Sequence, residues 1–351
     1  MTETKRKDVL LYRRFYRRFY RRYRRQAAPP AQIAPLILLS APLAWYMLTF
    51  PAAAGQAALN GMKLAVCGVL PTLFPFLALS SLLLASGIAE RILRLPARGI
   101  AILLGCSSAG AIALLIGCFC GFPVGGRLLS DLAADGKITR QEQNRLLPLA
   151  NHPSLPFLLS VVGGGMLHSE RKGLLLYLSV LLATLLLGVV TRREGQRQTE
   201  VPVPAAIQRT GAAAVTESIG RATVAAISAS GFITFFAVCS AGMETLFSTV
   251  RLPLAVALPL SGMLELSGGM KKAAELMENP ASRLCGDILC GFFAGFGGLS
   301  AHLQVIATVH DRMPGGAEEQ LCTLRSFVCR KLVEGGVSAL VYLLLVTVVP
   351  L

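Results

Sequence analysis

An all-α, polytopic membrane protein with two related halves and broken or re-entrant helices around a central site is the fold class this sequence predicts. Composition is the first ground. Of 351 residues, 54% are hydrophobic and only 15% charged, with a mean hydropathy of +0.60, whereas a soluble domain carries about 25% charged residues. The second ground is the form of the apolar segments, which glycine, proline and small polar residues interrupt where a plain membrane helix would run on. Non-helical backbone at membrane depth survives only where protein buries it or where it lines a cavity, and such breaks mark solute sites in transporters. The third is the layout: a basic-aromatic segment (1–32), an apolar half (33–190), a polar linker (191–214) and a second apolar half (215–351).

The net charge of +15 is concentrated at the start. Residues 1–25 hold eleven Lys or Arg against Glu3 and Asp8, contributing +9 and leaving +6 for the other 326 residues. From Arg13 to Tyr23 basic pairs alternate with aromatic pairs. Guanidinium groups there can meet anionic headgroups while Phe and Tyr settle at the interface. Phosphate contacts and base stacking would use the same residues, but the apolar segment beginning at Ile33 favours a cytoplasmic juxtamembrane anchor and no nucleic-acid partner. The basic region is too long for a signal peptide, and no small-residue cleavage site follows.

Along the chain, Ile33–Phe50 is long enough to cross a bilayer at about 1.5 Å per residue. Residues 57–87 follow, broken near Leu70-Pro71 and Pro75-Phe76, where two prolines four apart kink a helix or mark a re-entrant turn. Ile100–Cys120 is rich in small residues suited to close helix packing. The polar stretch 127–150 predicts a surface helical hairpin, with a turn at Asp135-Gly136 and a capping box from Thr139 to Glu142. Residues 155–168 and 172–190 are apolar, with Gly163-Gly164-Gly165 reading as tight packing or a hinge. In the second half, apolar pieces at 222–248, 253–264, 284–294 and 301–309 precede a last span, 333–349. Arg-bearing connectors 88–99 and 191–214 both read as cytoplasmic, and 51–60 has no charge. Gly125-Gly126 and Gly268-Gly269 each precede an amphipathic helix, a weak internal likeness of the kind repeated transporters show.

The candidate site residues come from three breaks and one carboxylate. They are Gly121, Pro123 and Gly125; Asn151 and Ser154; Glu265 and Gly268; and Gly297, Gly298, Ser300 and Gln304. Glu265 interrupts an apolar run, where an acid costs about 2.5–3.5 kcal/mol on insertion scales and is usually functional. It serves proton coupling, cation coordination or substrate binding, or else caps the next helix near the interface. Asn151 offers donor and acceptor beside two prolines, though Asn-x-Pro also marks plain turns. His152 reads more as turn than ligand. Ser300, His302 and Gln304 surround a helix N-terminus whose N–H groups attract anions, with His302 the packed member. Nine cysteines with no C-x-x-C pair, and four histidines with no H-x-x-x-H pair, exclude a disulfide framework, a zinc site and a metalloprotease. Phosphate-loop, nucleophile-elbow and dinucleotide fingerprints are missing as well, so the chain reads as no enzyme and without a cofactor beyond a coupling proton or sodium ion.

These breaks resemble the sporulation integral membrane proteins of the YlbJ type, within the wider nucleoside-recognition ("gate") group. The matching residues are Leu70-Pro71 with Pro75-Phe76, Gly121 to Gly125 with Ser130-Asp131-Leu132, Asn151 to Phe157, Val162 to Met166, Glu265 to Gly269, and Gly297 to Gln304, spread over residues 57–349. At Asn151-His152 this chain carries histidine where that pattern has a second asparagine. The resemblance implies a multi-pass membrane protein made in sporulation and similar to concentrative nucleoside transporters. It further implies a small anionic cargo, dipicolinate, moved from mother cell toward forespore across the outer forespore membrane. A non-transporting assembly or signalling role in spore maturation is the alternative, and the oligomeric state stays open.

Overall fold

The protein's structure, a computed structural model, describes residues 30–194, 211–312 and 317–349. The basic-aromatic repeat and most of the polar linker lie outside the described residues. The chain divides into two compact units, Met1–Trp45 and Tyr46–Leu351. Helix α1 (Pro30–Thr49) starts in the first, on a proline suited to an opening turn, and carries no charged side chain.

In the second unit, α2 (Pro51–Lys63) passes through a π-helical turn, Leu64–Val69, into α3 (Leu70–Ala85). The two arms are bent by 55°. Pro71 and Pro75 remove backbone donors there and the wide turn absorbs the misfit, so the kink expected at these prolines is present. Helices α4 (Ile88–Leu104) and α5 (Ser108–Cys120) meet at 107°. Gly105 turns the corner at φ +61°, and Ser107 caps α5 by accepting from the Gly110 N–H at 3.0 Å.

The hairpin of α6 (Val124–Ala134) and α7 (Arg140–Leu149) departs from expectation. Its turn at Gly136 (φ +70°) and its Thr139 cap, accepting from the Glu142 N–H at 3.1 Å, are as read. It is a surface element only in part: Asp135, Arg140, Gln141 and Asn144 are exposed, and the other face is not. Glu142, Gln143 and Arg145 are all buried. Instead of closing the capping box, the Glu142 carboxylate accepts from the Ser107 N–H at 2.7 Å. Arg145 donates to the carbonyls of Leu104 and Gly105 at 2.9 and 3.2 Å, and Gln143 donates to Ser130 Oγ at 3.1 Å. On the buried face, Glu142 and Arg145 satisfy the backbone ends of α5 and α4 rather than meeting water.

A π-helical stretch (Phe157–Met166) leads into α8 (Glu170–Val190) and a short 3₁₀ turn, Thr191–Glu194. Of the glycine triplet, Gly163 is the packing residue, set against the backbone of Gly173. After the linker come α9 (Ala212–Thr249), α10 (Leu254–Gly262), α11 (Leu266–Glu278), α12 (Arg283–Phe296), α13 (Leu299–Arg312) and α14 (Ala317–Val348). Among the described residues four helical stretches are long and apolar enough to cross a membrane, or up to six if each bent pair is one span.

The spans have the inverted pattern of a membrane protein. On α14, Phe327, Lys331, Glu334, Ser338 and Tyr342 face inward while Val333, Leu340 and Leu344 are exposed. On α8, Ser179, Ala183 and Thr184 are buried while Leu174, Leu178, Leu182 and Leu186 face out. Helices α12 and α14 approach closely at Gly291, Gly295 and Gly335, where an added Cβ would strike the facing chain within 3 Å. Without a hydrophobic drive between helices in lipid, such small-residue contacts supply the packing.

Candidate functional site

Four breaks in the helices meet at one place. The Phe122 N–H donates to His152 O at 3.1 Å, and a Cβ on Gly121 would lie 2.6 Å from Ser154 N, so the first and second breaks share backbone contact. Leu299 and Ser300 donate to the carbonyls of Met263 and Leu264 at 2.8 and 3.0 Å, joining the third and fourth. The two pairs touch through Gly297 (φ +87°), which lies against the Phe122 ring, and through Gly126, whose face packs on Val305. Gly298 (φ +84°) admits the backbone of Glu265 and Leu266. Only glycine combines these left-handed conformations with that closeness.

Two adjoining cavities open from this junction. The inner, about 80 Å³, is lined by Ser154, Glu265, Ser267, Ser300, Gln304 and Cys120 with apolar neighbours. The outer, about 650 Å³, takes Glu90, Arg127, Asp131, Glu217, Arg221 and again Gln304 into its wall. The outer volume lies within the usual range for small-molecule sites, and the inner one holds only a few waters. Glu217 and Arg221 sit in the opening turns of α9, so the outer cavity reaches toward the N-terminal end of that helix. Arg221 pairs with Glu217 at 2.5 Å. With three carboxylates against two guanidinium groups, the wall has no net positive charge.

The structure gathers some of the predicted residues at the cavity and assigns others to its frame. Ser154, Glu265, Ser300 and Gln304 line the inner cavity, and Pro123 lines the outer. Ser300, Gln304 and Thr308 follow one another at helical spacing along the cavity side of α13. His302 lies on the other side, its ring between Phe296 and Phe327 at centroid distances of 4.6 and 5.0 Å. Gly121, Gly297 and Gly298 permit the close approach of the breaks. Gly125 is a packing residue, with no room for a Cβ beside the Ala150 carbonyl. Gly268 supplies a backbone donor to Glu265.

Two expectations change. The helix N-termini are not free to receive an anion. Glu265 caps α11 itself, accepting from the Ser267 and Gly268 N–H groups at 3.0 and 2.7 Å, while carbonyls of Met263 and Leu264 occupy the first amides of α13. Glu265 is therefore both a cap and a carboxylate on the inner cavity. Asn151 is fully buried and directed into the frame: Oδ1 accepts from the Gly126 N–H at 3.1 Å, and Nδ2 donates to Leu147 O at 2.6 Å. It pins the start of α6 to the end of α7. Asn151→Ala leaves both backbone groups unpaired, so the expected result is a loss of about 1–3 kcal/mol, read as a lowered melting temperature of purified protein.

A second polar cluster was not singled out by sequence reasoning. Lys331 and Glu334, both fully buried, pair at 2.8 Å, and Thr184 Oγ1 donates to Glu334 at 2.9 Å. One turn on, Ser338 meets Ser179 at 3.1 Å. The available signal was Lys331-x-x-Glu334 in helical register with Ser338 and Tyr342, hidden because Lys331 precedes the last apolar run, 333–349, and Glu334 is only its second residue.

No family model matches the chain. It is 26% identical over 336 residues to the sporulation integral membrane protein YlbJ of Bacillus subtilis (strain 168), a match covering 85% of this chain and 79% of that protein. Among solved structures, a CNTnw variant in its intermediate 1 state is 13% identical with a TM-score of 0.49, covering 88% of this chain and 90% of that one. CNTnw in an inward-facing substrate-bound state is 13% identical with a TM-score of 0.42, covering 89% and 83%.

Proposed function

We propose that this chain, a relative of the sporulation integral membrane protein YlbJ, is a transporter of a small organic anion in sporulation, with dipicolinate as the cargo. The observation that carries this reading is the convergence of four helix breaks on Ser154, Glu265, Ser300 and Gln304 around an 80 Å³ cavity that shares Gln304 with a second cavity of 650 Å³. Broken helices whose polar residues meet in one cavity are the arrangement a moving solute site requires.

The chemistry of the cavity narrows how such cargo binds. Hydroxyls of Ser154, Ser267 and Ser300 and the Gln304 amide can donate to carboxylate oxygens. Arg127 and Arg221 line the larger cavity, Arg221 already paired with Glu217. Against them stand Glu90, Asp131 and Glu217, with Glu265 below. A dianion entering this field needs accompanying protons or cations, so the transport is coupled. The direction toward the forespore follows the family resemblance.

The test is spore dipicolinate content in a sporulating strain that lacks this gene, complemented or not with the wild-type chain. We expect at least a tenfold deficit without the gene and restoration with it. Normal content in the deletion strain, with no second relative encoded, would remove dipicolinate as the cargo.

A further inference from the structure

Helices α8 and α14 run antiparallel, in contact where Ser179 meets Ser338 and where Thr184 donates to Glu334. Beyond that contact they bound a cavity of about 310 Å³. Leu187 and Val190 of α8 and Arg330 and Val333 of α14 line it, with Arg145 and Leu149 of α7, both buried, at its back. It shares no lining residue with the two cavities at the helix breaks. Its mouth faces lipid. Val190 is 77% exposed and Val333 54%, and they continue the outward apolar faces of Leu182 and Leu186 on α8 and of Leu340 and Leu344 on α14. The cavity also lies at headgroup level: the apolar run of α8 ends at Val190, just before Thr191-Arg192, and that of α14 begins at Val333, just after Arg330-Lys331-Leu332.

The charge around this cavity is positive. Arg145 is 2% exposed and has no carboxylate in ion-pair range among the described residues. The carbonyls of Leu104 and Gly105 hold its guanidinium in place without neutralising it, and its Nε–H is buried with no partner among the described residues. Arg192 packs over the same Gly105, where an added Cβ would lie 2.7 Å from Arg192 Cγ, so a second basic side chain stands beside the first. The neighbouring acids are already engaged. Glu142 accepts from the Ser107 N–H, and Glu334, fully buried in the wall, is held by Lys331 and Thr184. Four cations (Arg145, Arg192, Arg330 and Lys331) against these two acids leave two positive charges. A buried charge is costly unless an anion answers it.

We propose that this cavity binds the headgroup of an anionic phospholipid, its phosphate at Arg330 and its acyl chains along the outward faces of α8 and α14. Arg330, half-buried, makes the contact, since a guanidinium fork matches two phosphate oxygens. Arg145 stays behind the wall and acts through its charge, which salt screens little at a buried site. Basic pockets between transmembrane helices are a recurring form of headgroup site. The apolar part of the wall and the exposed valines at the mouth select a lipid over a free anion, because only a lipid brings chains to cover them.

The experiment takes the purified full chain in mixed micelles of phosphatidylglycerol and phosphatidylcholine and counts retained lipids by native mass spectrometry. Two net positive charges at the headgroup should favour phosphatidylglycerol about thirtyfold. Arg330→Gln should lower that preference about fivefold. Val333→Trp, which fills the mouth and leaves every charge in place, should abolish the retained lipid. Leu344→Trp, on the outward side of the same helix but away from the cavity, should change nothing. Arg145 is left intact, because its removal would also unpair the Leu104 and Gly105 carbonyls. Equal retention of the two lipids by the wild type would overturn the proposal, as would an unchanged preference in Arg330→Gln and Val333→Trp, both folded and monodisperse. Displacement of the lipid by millimolar inorganic phosphate would show that the chains contribute nothing, and would overturn the lipid as occupant.

Discussion

Lys331→Ala should be the most damaging single change in stability, costing about 3–5 kcal/mol, because it strands the Glu334 carboxylate in the protein interior. Both side chains are fully buried, and Thr184 gives Glu334 only one further hydrogen bond. The desolvation of the acid is then offset by little else. The penalty belongs to the unpaired charge rather than to the pair, which yields a control. Lys331→Met combined with Glu334→Gln removes both charges, keeps similar volumes, and leaves the Gln carbonyl to accept from Thr184. It should recover most of the lost stability. The measurement is the thermal midpoint of the purified protein for wild type, single and double variants. A single variant as stable as wild type would mean that water reaches Glu334 and that the pair is not sealed.

Glu265→Gln should abolish coupled flux while the protein inserts at normal levels. The carboxylate has two jobs at once: it accepts from the Ser267 and Gly268 N–H groups, and it sets the charge at the floor of the inner cavity. Glutamine keeps one acceptor oxygen and turns an amide NH₂ toward the second backbone donor. The lost cap contributes about 0.5–2 kcal/mol, too little to unfold the chain. Under the proposed transport function, the lost charge removes the balance that coupled binding needs. In the spore assay the variant, expressed at wild-type level, should restore no more than a tenth of the wild-type dipicolinate. Full restoration would reduce Glu265 to a helix cap.

Much of the site was legible because glycine and proline in apolar runs have few uses. A break such as Gly297-Gly298-Leu299-Ser300 has to be buried in protein, and four such breaks in one chain find partners in one another. The residues read wrongly are polar groups with a choice of partner. Asn151 looks like a ligand in the sequence, and its amide instead ties Gly126 to Leu147. Glu142 and Arg145 look solvent-facing, and they satisfy the ends of α5 and α4. Gly125 looks like part of a binding loop, and it is the space beside the Ala150 carbonyl.

The sequence by itself determined the membrane class, the positions of the breaks and the family resemblance, because these depend on composition and local backbone chemistry. Tertiary structure alone decided which polar groups face the cavity and which hold the frame. A side chain's hydrogen-bond capacity is local, but its partner is supplied by segments far away in the chain. Lys331 and Glu334 show the difference most plainly. In sequence they flank an apolar run, and only the packing of α8, α13 and the Asn151–Pro156 break around α14 makes them the charged centre of the bundle.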